Sequence, residues 1–471
     1  VTTDKLMRRY DIYRLAVAAA GELDPETDAA LEAYSAGINA RLDQINTEAL
    51  GRGAPEMWLF NAPMAPWRPA DSLAVTKLMG LQMSGHLEAE VLRARVSLEL
   101  SDQDRLRDIL PDAPGSGVAA LPEYAALFPD VTTRHAAAAP MDSHPLSPFK
   151  RQAFAGASNA WAAAPSRSAA GGTLLANDPH LGFTAPAIWY LARLELETGG
   201  VIGGTIPGMP VVLTGRSADL GWGLTTAYVD DQDVYIEELN PDNTEEYRTP
   251  DGFKKFRKRS SIINIADADP ITVTLRWTDN GPVLPGSHYN LGSITPPGHV
   301  ASVASTLFTE KDTSLAAAMK VMRAKSVQQA INAATDYVAP AQNLTLVDRD
   351  TIAMKTIGAM PRRDANHQSE GRMPSPGWIA ANRWDGMLPY TANPEFIAPA
   401  GGILGNTNNK TVDRPFPNHV SFVWGDTQRV QRWQRLMQNR EVHTRDSFIE
   451  AQLDTVSPTA RSLLPLIGAE L

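Results

Sequence analysis

The sequence predicts an α+β protein on three observations. Helix-period patterning with start signals fills the chain to about residue 110, a proline-rich stretch follows, and period-two alternation dominates from residue 158, broken by two helices. In the first block, Asp24 before Pro25 marks a helix start: the side chain can accept from free N–H groups, and the proline has no N–H to lose. Leu31, Tyr34, Ile38 and Leu42 then share one face. A second start near Asp71 precedes Leu73, Val75, Leu78 and Met79, and a third helix is expected from Glu88 to Leu100.

The texture changes at about residue 111. Pro111, Pro114, Pro122, Pro129, Pro140, Pro145 and Pro148 fall in one stretch with alanine-rich filler at 136–139. Such a stretch cannot hold a long helix or a central strand, so 111–157 is predicted to be a long connector. Beyond it, Ile188, Tyr190, Ala192, Leu194 and Leu196 alternate with Arg193 and Glu195, and Ile271, Val273, Leu275 and Trp277 alternate with Thr272, Thr274 and Arg276. Asn280-Gly281 supplies a tight-turn dipeptide after the second run. One helix is predicted after Ser314, and another opens with Ser326 and Gln329 at capping-box spacing. The expected organisation is a helical segment over 1–110, a spacer over 111–157 and a catalytic segment over 158–471.

Composition narrows the function. The 471 residues are 43% apolar and 20% charged, ordinary for a folded globular chain. A net charge of −10 argues against nucleic acid as a partner. The basic run of Lys254, Lys255, Arg257, Lys258 and Arg259 reads as a solvated strand or hairpin. No apolar run is long enough to span a membrane. With no cysteine, disulfides, thiolate metal sites and cysteine nucleophiles are excluded.

The segment Gly156-Ala157-Ser158-Asn159-Ala160-Trp161, just after the connector, carries the chemistry. A serine hydroxyl is a poor nucleophile until a base takes its proton. Were Ser158 a chain N-terminus, its own α-amine, titrating at about 7.7–8.0, would be that base without any triad histidine. Exposing the amine requires cleavage between Ala157 and Ser158, which the Ser158 hydroxyl can begin by attacking the preceding carbonyl. Cleavage and later hydrolysis both build an oxyanion that needs preorganised donors. The Asn406-Thr407-Asn408-Asn409 cluster is a candidate source.

At this point an ordered set of motifs resembles the penicillin acylase family, which includes penicillin, cephalosporin and acyl-homoserine-lactone acylases. The set runs through Ser158-Asn159-x-Trp161, Asn177-Asp178-Pro179-His180-Leu181, Pro207-Gly208 and Gly221-Trp222-Gly223. It continues through Asp230, Asp231 and Asp233, Gln342-Asn343, Gly358-x-x-Pro361-x-Arg363, Trp384-Asp385-Gly386, Asn406-x-Asn408-Asn409, and Trp424 to Arg429. Tyr34 to Asn39 and Pro66-Trp67 extend the likeness into the helical half.

The resemblance implies an N-terminal-nucleophile hydrolase fold, a four-layer αββα sandwich with a mainly helical N-terminal segment. It implies a precursor cut into an α/β heterodimer with the spacer excised, and a periplasmic or secreted location. The substrate class it implies is a small-molecule acyl amide, an N-acyl-homoserine lactone or a β-lactam, with no cofactor for the chemistry. It makes Ser158 the nucleophile, the N–H of Thr226 or Ala227 and the side chain of Asn408 the oxyanion donors, and Leu181 a wall of the acyl pocket. His180 falls beside the nucleophile, and Arg429 matches an arginine near the substrate. A structural calcium is also implied, with Asp230, the Gln232 carbonyl, Asp233 and Glu90 as ligands. Asn418 stands where another carboxylate is expected, which weakens that site. Relatives of this kind carry more chain before Val1 and beyond Leu471, so the sequence is expected to be part of a longer one.

Two rival readings remain at this level. Gly156-x-Ser158-x-Ala160 approximates a nucleophile elbow, so an α/β-type esterase with a histidine triad is one. A non-catalytic relative that binds acyl ligands is the other. Ser147-x-x-Lys150 resembles a Ser-Lys pair, at a spacing common by chance. Trp161 and Trp222 read as core.

Overall fold

The computed structural model describes residues 1–47, 64–100, 105, 127–128 and 157–468, apart from 183–184, 186, 198 and 426. The predicted connector, including Ser147 and Lys150, therefore lies almost wholly outside the described residues.

The helical block forms α1 (Thr2–Tyr10), α2 (Ile12–Ala20), α3 (Pro25–Thr47), α4 (Pro69–Met83) and α5 (His86–Glu99). Asp24 caps α3 as its residue type dictates: Oδ1 accepts from Thr27 N at 3.0 Å. At α4 the geometry differs from the expected one. Asp71 sits inside the first turn, and its carboxylate reaches back to Arg68 N at 2.7 Å.

Eighteen strands follow among the described residues. A three-stranded sheet joins β1 (Ala157–Ala163) to β2 (Leu174–His180) on one side and β18 (Ile403–Asn406) on the other. A seven-stranded antiparallel sheet has the order β17 (Glu395–Ile397), β15 (Ile352–Ile357), β14 (Gln342–Val347), β6 (Gly221–Thr226), β5 (Thr214–Arg216), β4 (Val201–Thr205), β3 (Tyr190–Leu194). A further sheet runs through β7 (Gln232–Asn240) and β13 (His299–Ser305).

Three cores stack these elements into four layers. On one face of the seven-stranded sheet, Trp222, Leu344 and Ile357 pack against α6 (Ser314–Met322), α7 (Val327–Ala333) and α2 to α4. Ala162 of β1 packs against Val347 and Ile352, which joins the two sheets. On the outer face of the small sheet, Trp161, Ala176 and Ile403 meet Met437, Phe448 and Ala451 of the C-terminal helices. The order is helix, sheet, sheet, helix, the αββα sandwich expected. A side core in which Leu81, Leu87 and Val91 meet Val234 and Ile236 fastens α4 and α5 to β7.

The local signals mostly hold. Ser326 Oγ caps α7 by accepting from Gln329 N at 3.2 Å. Arg257–Ile265 and Ala268–Trp277 form a hairpin whose first strand carries Arg257, Lys258 and Arg259, while Lys254 and Lys255 are exposed on the preceding strand β9 (Gly252–Lys255). Thr278 N bonds Gly281 O at 2.9 Å after it, and Gly281 has φ +143°, where a Cβ would lie 1.9 Å from Val303 O. At β3 the alternation finds a strand but no buried face: Tyr190 and Leu191 are both exposed, Leu191 by 82%, because β3 is the sheet edge.

Candidate active site

Ser158 is the second residue of β1 and is only 6% exposed. Alternation along the strand sends Ser158 and Ala160 to one face and Asn159 and Trp161 to the other. Pro179 of β2 lies opposite Ser158, and Asp178 opposite Asn159.

On the Ser158 face lies a cavity of about 70 Å³. Leu181, Trp189, Ile206, Met209 and Leu224 line it, with Met79 and Met83 contributed by α4. Leu181 and Thr226 line this cavity together with Ser158. The sequence already places Met79 on the second predicted helix, and Met83, at i+4 from it, falls on the same face.

Asn408 organises the backbone around Ser158. Its Oδ1 accepts from Ser158 N at 2.6 Å and from Arg429 Nη2 at 2.9 Å, and its Nδ2 donates to Thr226 O at 3.0 Å. Asn408 holds φ +63°, a left-handed conformation that Asn tolerates better than most residues. Gly425 permits this approach, since a Cβ there would lie 2.7 Å from Asn408 O. Asn406 Oδ1 supports the loop by accepting from Asn408 N at 3.0 Å and Thr225 Oγ1 at 2.6 Å.

Thr226 and Ala227 can be told apart. Ala227 N is spent on Ala341 O at 3.3 Å, so the neighbouring opposed pair, Thr226 with Gln342, is not a hydrogen-bonded one. Thr226 therefore turns both its C=O and its N–H to the edge of β6 away from β14, the side where Asn408 meets it. Thr226, not Ala227, has an N–H directed toward Ser158 and Asn408.

Arg429 braces the same backbone rather than standing free in the cavity. Its Nη1 donates to Ser158 O at 2.9 Å and to Asn159 Oδ1 at 2.7 Å. His180 contacts the surroundings of Ser158, with Nε2 3.4 Å from Asn159 Nδ2. It shares the opposite face of the sheet with Asp178, whose Oδ2 lies 2.7 Å from His180 Nε2. Among the described residues no histidine hydrogen-bonds Ser158. Asn177, quoted in the sequence only as part of a motif, ties the two sheets together: Nδ2 donates to Asn159 O at 2.7 Å and Leu224 O at 3.0 Å.

The expected calcium ligands do gather, but around an arginine. Arg363 donates to Asp233 through Nε at 2.9 Å and Nη2 at 2.7 Å, and to Asp230 O at 3.1 Å. His419 Nε2 lies 2.7 Å from Asp230 Oδ2, and Trp384 Nε1 donates to Asp233 Oδ2 at 2.6 Å. The Gln232 side chain, not the carbonyl implied as a ligand, accepts from Leu87 N at 3.3 Å, and Glu90 Oε2 accepts from Val234 N at 3.2 Å. Among the described residues no three carboxylates or imidazoles converge as ligands of one ion. Asp230 Oδ1 and Glu90 Oε1 remain buried without a hydrogen-bond partner, two carboxylate oxygens where a calcium ion takes six to eight ligands.

The electrostatics agree with the geometry. Burial works to raise the Asp230 carboxyl, yet Arg363 and His419 hold it down at about 2. Burial, then Asp233 and Asp230, push Glu90 well above the usual carboxylate range. Burial and Asp230 raise Asp231 to about 7.

The penicillin amidase family profile matches residues 1–471. The chain is 27% identical over 463 residues to the acyl-homoserine lactone acylase QuiP of Pseudomonas aeruginosa, covering 96% of this chain and 53% of that protein. It is 27% identical over 472 residues to the penicillin acylase 2 proenzyme of Pseudomonas sp. strain SE83, covering 97% and 57%. A solved penicillin G acylase from Alcaligenes faecalis shares the fold with a TM-score of 0.55 at 24% identity, over 62% of this chain and 51% of that one. The chain spans about half the length of the relatives it matches. With the profile matched from first residue to last, on a four-layer sandwich that buries Ser158 at the start of a central strand, this chain belongs to the penicillin amidase family.

Proposed function

We propose that the full protein hydrolyses the acyl side-chain amide of a small molecule through an acyl-enzyme on Ser158, after self-cleavage before that residue. The observation that carries this reading is the Asn408 side chain, which accepts from Ser158 N while its amide nitrogen sits against Thr226. Once the backbone is cut, the Ser158 nitrogen becomes an amine that keeps Asn408 Oδ1 as its partner. Arg429, bonded to the same Oδ1, places a positive charge nearby. That charge disfavours the ammonium form and helps keep the amine a free base near neutral pH.

The steps then balance. The amine takes the Ser158 Oγ proton as Oγ attacks the amide carbon. Asn408 Nδ2 and Thr226 N–H receive the oxyanion. The C–N bond breaks, the leaving amine carries off the proton, and an ester remains on Ser158. Water, deprotonated by the same α-amine, cleaves the ester and releases the acid.

The apolar cavity with Leu181 is the proposed acyl pocket, and its small volume favours a short or slim chain. Met79, Met83 and Met209 are unbranched and can swing to admit more. The first substrate class to test is the N-acyl-homoserine lactones, after relatives named for that activity; β-lactam side-chain amides are second. The mature form is proposed to be an α/β heterodimer outside the cytoplasm, in keeping with a relative named a proenzyme. The triad-esterase reading has no histidine on Ser158 to support it.

Intact-mass analysis and N-terminal sequencing of the full-length protein test the proposal. A chain beginning at Ser158 is expected, and Ser158→Ala should abolish both the cut and amide hydrolysis. An active product with residues 157 and 158 still joined, or turnover retained by the variant, overturns it.

A further inference from the structure

We infer that Arg363 is the resident cation of the buried acidic cluster at the foot of α5, and that this junction is held without a metal ion. The observation is the disagreement between the residues implied as calcium ligands and the partners they actually hold. Calcium needs six to eight oxygen ligands at about 2.3–2.6 Å. Here both Asp233 oxygens are already committed, to the two arms of the Arg363 guanidinium and to Trp384 Nε1. The same Nη2 reaches Asp230 O and lies 3.3 Å from Asp230 Oδ2. A planar fork that satisfies one carboxylate bidentately and a second in passing suits a guanidinium. Among the implied carboxylates, Asp230 Oδ1 and Glu90 Oε1 are the buried oxygens left without a hydrogen-bond partner, two against the six to eight ligands of a calcium ion.

The position where a further carboxylate is expected confirms the change of design. Asn418 is exposed, while His419 beside it turns inward with its side chain 2% accessible and takes Asp230 Oδ2. An imidazole N–H and a guanidinium thus occupy Asp230 Oδ2 and both Asp233 oxygens, acceptors that a divalent cation would claim. Arg363 itself is as buried as its partners. Removing it would leave two carboxylates without their shared positive charge, and a cavity lined by their oxygens.

The cluster sits at a mechanical junction. His86 Nε2 of α5 lies 3.1 Å from Ser421 Oγ, Leu87 N donates to Gln232, and Glu90 accepts from Val234 N. The helical segment and β7 therefore meet around Arg363, and the charge that ties them is covalently attached.

The test uses the full-length protein and the metal itself. Elemental analysis of purified protein is expected to find calcium well below one ion per chain. Thermal unfolding is expected to be the same with excess chelator and with added calcium chloride. One calcium per chain, or a Tm that falls by several degrees on chelation, overturns the inference. Arg363→Gln is expected to unfold at a lower temperature and to recover part of that loss in millimolar calcium, which wild type ignores. A folded Arg363→Gln whose Tm does not respond to calcium overturns the assignment of the guanidinium to the cation position. If that variant does not fold, the wild-type metal content and chelation results decide alone.

Discussion

In the proposed mechanism Asn408 performs two tasks with two atoms, and Asn408→Asp separates them. The carboxylate keeps an acceptor for Ser158 N and for Arg429 Nη2, now 2.6 and 2.9 Å from Oδ1, so the nucleophile stays placed. What disappears is Nδ2, the donor beside Thr226. The left-handed backbone at φ +63° tolerates Asp nearly as well as Asn, so folding should survive. In stability, one hydrogen bond is lost, worth about 1 kcal/mol. In rate, one oxyanion donor is lost, worth about 10²–10³-fold in kcat, or ~2.7–4 kcal/mol of transition-state stabilisation. Because self-cleavage builds the same oxyanion, it should slow too. A negative charge beside the Ser158 amine also favours its protonated form, so the alkaline-side rise in the pH–rate profile should move to higher pH. The assay is the time course of the cut by intact mass, followed by single-turnover hydrolysis of an acyl-homoserine lactone by the material that has cut. Cut and turnover both within tenfold of wild type would falsify the assignment of Nδ2 as an oxyanion donor.

Two further expectations concern stability. Lys77 of α4 is fully buried, with Nζ donating to Asp312 Oδ2 at 2.7 Å and Leu307 O at 2.9 Å. Lys77→Ala strands Asp312 in the interior and should cost about 3–5 kcal/mol in urea unfolding; a loss below about 1 kcal/mol would show the pair to be dispensable. His367 is held down to about 4, by burial first, so its neutral form is the folded one. Its contribution is intact above the unfolded value of about 6.5 and is lost as pH falls toward 4, about 2 kcal/mol by pH 5. His367→Gln should flatten the fall in unfolding free energy between pH 7 and pH 5 relative to wild type, and parallel curves for the two proteins would rule the histidine out.

What could be read in the sequence was what depends on neighbours along the chain. Asp24-Pro25 and Ser326-x-x-Gln329 act through backbone donors within one turn, so their helices were visible. Ser158 stood out because small residues, a Ser-Asn pair and a preceding connector lie in one window at the head of an ordered set of motifs that resembles a known family. The direction of a side chain across a sheet was not. Whether His180 faces Ser158 depends on the register that pairs Ala157 with His180 and Ser158 with Pro179, a fact of two strands rather than one. Arg363 was quoted only as a motif member, since its carboxylates lie 130 residues away in the chain. The choice between Thr226 and Ala227 needed the pairing of β6 with β14, which no local pattern encodes.

The same register explains why a cut beside Ser158 is compatible with a stable site. A new chain end normally frays, because its N–H and C=O groups lose their fixed partners. Here Ser158 N is held by a side chain from another segment, Asn408, and Ser158 O by Arg429. Neither bond passes through residue 157. From Ala160 onward the strand is pinned on both edges, to β2 and to β18. On the other side of the break, α4 and α5 are fixed by the Lys77–Asp312 pair, by Glu90 on Val234 N and by their share of two cores. Severing the 157–158 link would therefore free an amine without freeing the residue that carries it, and α4 would keep its methionines in the wall of the cavity. An enzyme that uses its own chain end as a base requires that end to be both newly made and immobile. In this fold the immobility comes from side chains that reach Ser158 from far along the sequence.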